Sequence, residues 1–188
     1  MNPFSTLRFI LDHPLNHRRP FHAVGRYLDW QVRSRLQEEV LVEWISGTRL
    51  AARSGMTGAT GNIYCGLHEF ADMGFVLHAL QPGDLFLDVG ANVGSYTILA
   101  SGACGAESIA IEPDPLTARA LERKVDANEL SAKVLIIQSA VGDAEGEITF
   151  TTGMDTMNRV ATRADKNTQV VALRAQFKSF LSVAISCG

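Results

Sequence analysis

The run Leu85-Phe86-Leu87-Asp88-Val89-Gly90-Ala91-Asn92-Val93-Gly94 constrains the fold of this chain more than any other stretch. An apolar segment of strand length ends in an acid and passes through a glycine-bearing turn. It then leads into Ser95–Ser101, which reads as a short helix. Leaving a strand tip this sharply requires Gly90, which has no Cβ to obstruct the turn or a ligand beside it. Downstream, Ser108-Ile109-Ala110-Ile111 reads as a second strand and Lys133–Gln138 as a third. Pro115–Asn128 reads as a helix between them, with Leu116, Ala120, Leu121 and Val125 on one side. This β-α-β-α-β order predicts an α/β fold with a parallel sheet and right-handed crossovers. Glu147–Thr151 and Gln169–Leu173 are expected as two more strands, the first preceded by a turn over Gly142–Gly146.

The upstream part has a different texture. Residues 1–45 read mostly as helix: Val24, Leu28, Val32 and Leu36 recur at four-residue steps, and Val40, Val42 and Ile45 continue the apolar face. Trp30 and Trp44 are expected to share one helix face. Residues 47–63, with four glycines, are expected as short strands and turns. A helix over Leu67–Leu80 is stopped by Gln81-Pro82-Gly83-Asp84. Two units are therefore expected, an N-terminal helical and strand extension over 1–60 and a Rossmann-like domain over 61–188.

Charge is unevenly placed. Residues 1–60 hold eight Arg, no Lys and five acids, whereas residues 61–188 hold nine bases and fifteen acids. The whole carries −3, which gives no overall sign of a nucleic-acid partner. The basic segment is expected to be a solvated helical surface, with a docking face for an acidic partner as the alternative. Cys65, Cys104 and Cys187 are an odd count without CxxC spacing, which argues against a disulfide framework and a zinc site and fits a reducing cytoplasm. Phe4–Leu11 is too short for a signal peptide's apolar region. No apolar run approaches the ~18 residues of a membrane span.

The glycine turn also indicates a ligand. A dinucleotide site wants Gly-x-Gly-x-x-Gly, but here Asn92 stands where the middle glycine belongs. Asp88 stands two residues ahead of Gly90 and would repel a pyrophosphate while attracting a cationic amino group. S-adenosylmethionine has an amino group, a sulfonium and no phosphate, so it fits better than NAD. Gly94 opens the following helix, whose free N–H groups favour an acceptor. Glu112 ends the second strand, where a carboxylate can accept from ribose hydroxyls. Pro113 offers an apolar surface to adenine, and Ser139 and Ala140, at the third strand tip, would flank its other face. Tyr96 and Thr97 lie on the first turn after the loop, where Thr97 could donate to a ligand carboxylate or bond its own helix. The candidate cofactor residues are thus Asp88, Gly90, Ala91, Asn92, Gly94, Tyr96, Thr97, Glu112, Pro113, Ser139 and Ala140.

These motifs resemble the FkbM-type methyltransferase family. The similarity rests on Asp88 to Thr97, on Ile111-Glu112-Pro113-Asp114-Pro115, on Ala140-Val141-Gly142-Asp143 and on the approach segment Asn62–Glu69 with Pro82-Gly83-Asp84, and it runs from about Gly61 to Thr152. It implies a class I methyltransferase sheet and methyl transfer from S-adenosylmethionine to a hydroxyl of a sugar or secondary metabolite. It also implies a fourth core strand beside the first, for which this sequence has no counterpart. The tail from Ala175 through Phe180 to Gly188 departs from the family pattern, so an incomplete sheet and a truncated product are expected, with a bare edge on the first strand. A hydroxyl acceptor needs a base. His68 and Glu69, expected on the helix before the first strand, are the candidates on the acceptor side, and no catalytic residue or metal ligand is assigned. Three alternatives follow: an enzyme completed by a homodimer or partner, an inactive remnant, and an NAD-dependent oxidoreductase with an atypical loop.

Overall fold

The computed structural model describes residues 3–151, 159–162, 165 and 167–175. The tail beyond Ala175, including Cys187, lies outside the described residues. Three parallel strands, β3 (Leu85–Val89), β4 (Glu107–Ile111) and β5 (Val134–Ile137), form a sheet in the order β3-β4-β5. This is the expected α/β core with its parallel register. Between β3 and β4 runs α5 (Ser95–Ile98), which continues into a π-helical turn over Leu99–Ala103. Between β4 and β5 runs α6 (Pro115–Ala127). Asp114 caps α6, accepting from the backbone N–H groups of Leu116 and Thr117, both at 2.9 Å. Pro115 follows at the first helical position, where its missing N–H costs nothing.

Alternation along the strands decides what each face covers. Ala110 and Val134 pack with Ile98, Leu121 and Val125 in one buried cluster, so α5 and α6 lie on the same side of the sheet. Phe86 joins a second cluster on that side with Met73 and Val76 of α4 (Phe70–Ala79) and with Leu99 and Ala100. On the opposite side Ile109 and Ile111 are buried with Leu87, Ile137 and Val141. Leu116, expected on the apolar side of α6, is instead exposed, and Ala118 is buried in its place.

The N-terminal part corrects several expectations. α1 (Pro3–Asp12) and α2 (Pro20–Leu36) are helices, but the helix ends at Leu36 rather than running to residue 45. Val40–Glu43 forms β1, paired antiparallel with β2 (Arg49–Ala52). The run of Val40, Leu41 and Val42 suits a half-buried strand, with Val40 inside and Leu41 outside. Trp30 and Trp44 therefore share no helix. Trp30 is buried with Val40, Ala52, Ala59, Ile63 and Val93, while Trp44 packs against two other clusters. Residues 57–63, the later part of the stretch expected as strands and turns, belong instead to the helix α3 (Thr57–Cys65). Its glycines are poor helix formers, and contacts of Ala59 and Ile63 with Trp30 override that preference. The next helix is shorter than expected: α4 begins at Phe70, so His68 and Glu69 precede it, and Glu69 is its N-cap.

β6 (Ala140–Gly142), β7 (Gly146–Thr151) and β8 (Thr168–Ala175) make a second small sheet in the order β6-β8-β7. The last two strands match the expected pair, whereas Ala140 enters a strand rather than ending one. One side chain stitches the N-terminal hairpin to the core. The Asn128 amide accepts from the Arg49 N–H at 2.7 Å and donates to the Arg49 carbonyl at 2.9 Å, as a neighbouring strand would. No helix among the described residues is long and apolar enough to cross a membrane.

Candidate functional site

A cavity of about 900 Å³ opens where the β3 tip meets the N-terminal helices. Of the sequence candidates, Asp88, Gly90, Ala91, Asn92 and Tyr96 line it, and so do His68 and Glu69. Gly94, Thr97, Glu112, Pro113, Ser139 and Ala140 do not. Of these, Thr97 bonds Asp88 and Glu112 bonds Asn92 of the loop.

Local geometry explains that division. Gly90 (φ +78°) makes the turn off β3, and a Cβ there would meet nothing within 4 Å, so the loop backbone is open to approach. Asn92 also has a left-handed backbone (φ 49°), which asparagine tolerates better than most residues because its side chain bonds locally. Its Oδ1 accepts from the Val93 N–H at 2.6 Å. Gly94 (φ +83°) starts α5 with Leu121 directly behind it. Glu112 is buried and accepts from the Asn92 N–H at 2.8 Å and from the Asp114 N–H at 2.9 Å. Its carboxylate thus ties the glycine loop to the start of α6, a bracing task the sequence did not disclose. Lys124, also buried, donates to the Val93 carbonyl at 2.8 Å from the other side.

Asp88 is buried and accepts from the Thr97 hydroxyl at 2.6 Å. Thr97, itself fully buried, thereby fixes the Asp88 carboxylate. Burial raises the pKa of Asp88, opposed by its bonds from Thr97. Burial also raises that of Glu112, opposed by the N–H groups of Asp114 and Asn92. An acid whose pKa is raised by folding stabilises the fold fully below its unfolded pKa, about 4. That contribution is lost as pH rises through the folded value. His13, lowered mainly by burial, works with the opposite sign: its contribution is present above about pH 6.5 and is lost as pH falls. A difference measurement separates them. Asp88→Asn keeps an acceptor for Thr97 and removes the buried charge, so its melting temperature, taken relative to the unaltered chain, should climb as pH is raised above the carboxylate range. A flat difference across pH, read by thermal melts, would show that Asp88 carries no such linkage.

The acceptor side of the cavity is built around His68. Its backbone N–H donates to Asn62 Oδ1 at 2.8 Å. Its ring lies on Gly61, where a Cβ would come within 2.5 Å of Nδ1, and meets Phe9 edge-on with centroids 5.4 Å apart. Nδ1 is buried without a partner among the described residues, so Nε2 is the ring nitrogen left to the cavity. Next to it, Glu69 Oε2 accepts from the Tyr96 hydroxyl at 2.8 Å. Burial first, and then that carboxylate, push the Tyr96 hydroxyl far above the ordinary tyrosine range, so it remains a donor. The far wall comes from Phe9, Tyr27, Gln31, Arg35 and Tyr64, none foreseen as site residues. Only their packing brings them there: α2 carries three of them on one side, next to the face that buries Trp30 against α3. At the third strand tip, Ser139 is fully buried and its hydroxyl has no partner among the described residues. Cys65 is also buried, which pushes its thiol up to about 11 and makes it a packing residue rather than a nucleophile.

No protein-family profile matches the chain, and no curated protein matches it. The chain is similar to parts of several solved methyltransferases. One is an S-adenosylmethionine-dependent methyltransferase from Thiobacillus denitrificans in complex with S-adenosylhomocysteine (25% identity, TM-score 0.34, over 40% of this chain and 29% of that one). A second is the Methanocaldococcus jannaschii tRNA m1G37 methyltransferase (16% identity, TM-score 0.43, over 58% and 36%). A third is a geranyl diphosphate methyltransferase in complex with GPP and sinefungin (16% identity, TM-score 0.36, over 74% and 49%). The chain spans less than half the length of each of these proteins.

Proposed function

We propose that the chain binds S-adenosylmethionine at the β3 tip and belongs to an enzyme that methylates a hydroxyl of a small molecule or glycan. The observation that carries this is the opening of an acid and a glycine loop, Asp88 to Asn92, into the same cavity as His68 and Glu69. Two features suit this cofactor. Gly90 leaves the loop open, and Asp88 offers a negative group and no phosphate cradle. A cavity of about 900 Å³ is of small-molecule size. The FkbM-type resemblance points to the same chemistry.

S-adenosylmethionine supplies an electrophilic methyl group, and the protein's share is placement and proton handling. Asp88 would hold the cationic amino group, with Thr97 fixing its carboxylate. Tyr96 keeps Glu69 from swinging into the acceptor space. His68 would take the proton of the acceptor hydroxyl on Nε2 as the oxygen attacks, since that nitrogen alone faces the cavity without a partner. Glu112 and Lys124 would act as positioning residues, bracing the loop from behind.

Calorimetric titration with S-adenosylhomocysteine tests the reading, with NAD as control. Loss of one charge-assisted bond should weaken binding to Asp88→Asn about ten- to hundredfold. NAD should not compete. Tighter binding of NAD than of S-adenosylhomocysteine, or an unchanged affinity in Asp88→Asn, would sink the assignment.

A further inference from the structure

Helix α2 carries an apolar stripe that no described residue covers. Phe21, Leu28, Val32 and Leu36 are 89%, 56%, 58% and 77% exposed. At 3.6 residues per turn these four and Gly25 fall within an arc of about 80°, running the length of the 17-residue helix. The opposite side is the buried one, with Ala23 and Trp30. Periodicity along residues 24–36 reads as a core-facing stripe, but the core takes Trp30 instead and turns the stripe outward. Single exposed apolar residues are ordinary, whereas a continuous row of four marks an interaction surface.

Charge identifies what the surface fits. Residues 1–36 carry six Arg, no Lys and two acids. Both acids are already engaged within their own helices, Asp12 with Arg8 and Asp29 with Arg33, each at 3.4 Å. Arg18 and Arg19, exposed just ahead of α2, and Arg35, beside the stripe near its other end, take part in no ion pair among the described residues. The stripe is therefore apolar along its axis, with Arg18 and Arg19 ahead of its first turn and Arg35 at its last, where exposed Glu38 follows. An anionic lipid surface offers phosphates to the arginines and acyl chains to the Phe and Leu side chains.

We propose that α2 lies in the plane of an anionic membrane surface, with Phe21, Leu28, Val32 and Leu36 turned toward the lipid and Arg18, Arg19 and Arg35 at the level of the phosphates. This is docking on the bilayer and not spanning it, and it is independent of the methyl-transfer reading. The cavity would open at the edge of that surface, because Gln31 and Arg35 of α2 line it.

Vesicle flotation of the whole chain tests this, comparing phosphatidylcholine vesicles with ones containing about a third phosphatidylglycerol. The bound fraction should be roughly tenfold higher on the mixed vesicles at about 0.1 M salt and should fall steeply at about 0.5 M. The double variant Leu28→Ser, Val32→Ser should lose roughly tenfold of the binding. Both positions are exposed, so its circular dichroism and melting temperature should match the unaltered chain. Failure to float with mixed vesicles, equal binding to both kinds, or indifference to the double substitution overturns the proposal. So does a dimer in sedimentation equilibrium that the same substitutions dissolve, which would assign the stripe to a second copy.

Discussion

Gly94→Ala is expected to destabilise the chain by about 2–5 kcal/mol, the sum of a left-handed backbone penalty and an overpacked core. Gly94 has φ +83°, where an L side chain meets its own carbonyl. An added Cβ would also come within 2.2 Å of Leu121 Cδ1. Leu121 is fully buried between the sheet and α6, so it has no empty rotamer into which to retreat. For a chain of this length the melting temperature should drop by roughly 5–15 °C. The loop should loosen as well, because Gly94 fixes where Asn92 meets Glu112. A melt within a degree or two of the unaltered chain would show that Leu121 yields freely and that Gly94 is a convenience of the turn.

Gly61→Ala should leave the fold standing and lower the proposed methyl transfer about a hundredfold. The new methyl group would press on the His68 ring at Nδ1, which is 2.5 Å from the ideal Cβ position. Gly61 is an ordinary α-helical residue in backbone terms, so no strain of the main chain is added. The ring can swing toward the cavity, which has room for it, but Nε2 then leaves the place where it would meet an acceptor. S-adenosylhomocysteine affinity should change by less than about threefold, because Asp88 and the glycine loop are untouched. His68→Ala should cost a similar factor, and combining the two should cost little more, as expected for residues acting as one unit. Full activity in Gly61→Ala would remove His68 from the proton path.

Much of the fold is legible in the sequence where local and global preferences agree. Leu85–Val89, Asp114-Pro115 and the Gly90–Gly94 turn each carry their own structural signal, and the parallel order of β3, β4 and β5 follows from them. Failures concentrate where packing overrules pattern. Val40 and Val42 fit a helical stripe as well as a strand, and the partner strand Arg49–Ala52 decides between them. The apolar row of α2 is regular, yet Trp30 on the opposite side has the larger surface to bury, and it orients the helix. Residues 57–65 contain two helix-weakening glycines, and one of them, Gly61, is there because the His68 ring needs its space. The site divides in the same way. Residues whose job is set by the backbone, such as Gly90 and Asn92, can be placed from sequence. The bracing bonds of Glu112, Thr97 and Lys124 cannot, since each depends on a neighbour distant along the chain or hidden behind the loop.

The cluster that seats Trp30 draws on Val40 and Ala52 but is completed by Val93, with Ala120 packed against it, and the Arg49 clamp waits for Asn128. Helix α2 can pack early on its neighbours α1 and α3, but the seat of Trp30 stays incomplete until Val93 and Ala120, far downstream, have joined it. Contacts of such long sequence separation close slowly, because the intervening loop must be ordered before they repay its entropy. The cavity wall should accordingly be among the last parts of the molecule to acquire protection in pulsed hydrogen exchange, after the sheet strands. During that interval the outward row of α2 and the incompletely covered Trp30 form a single sticky segment, the natural client of a chaperone.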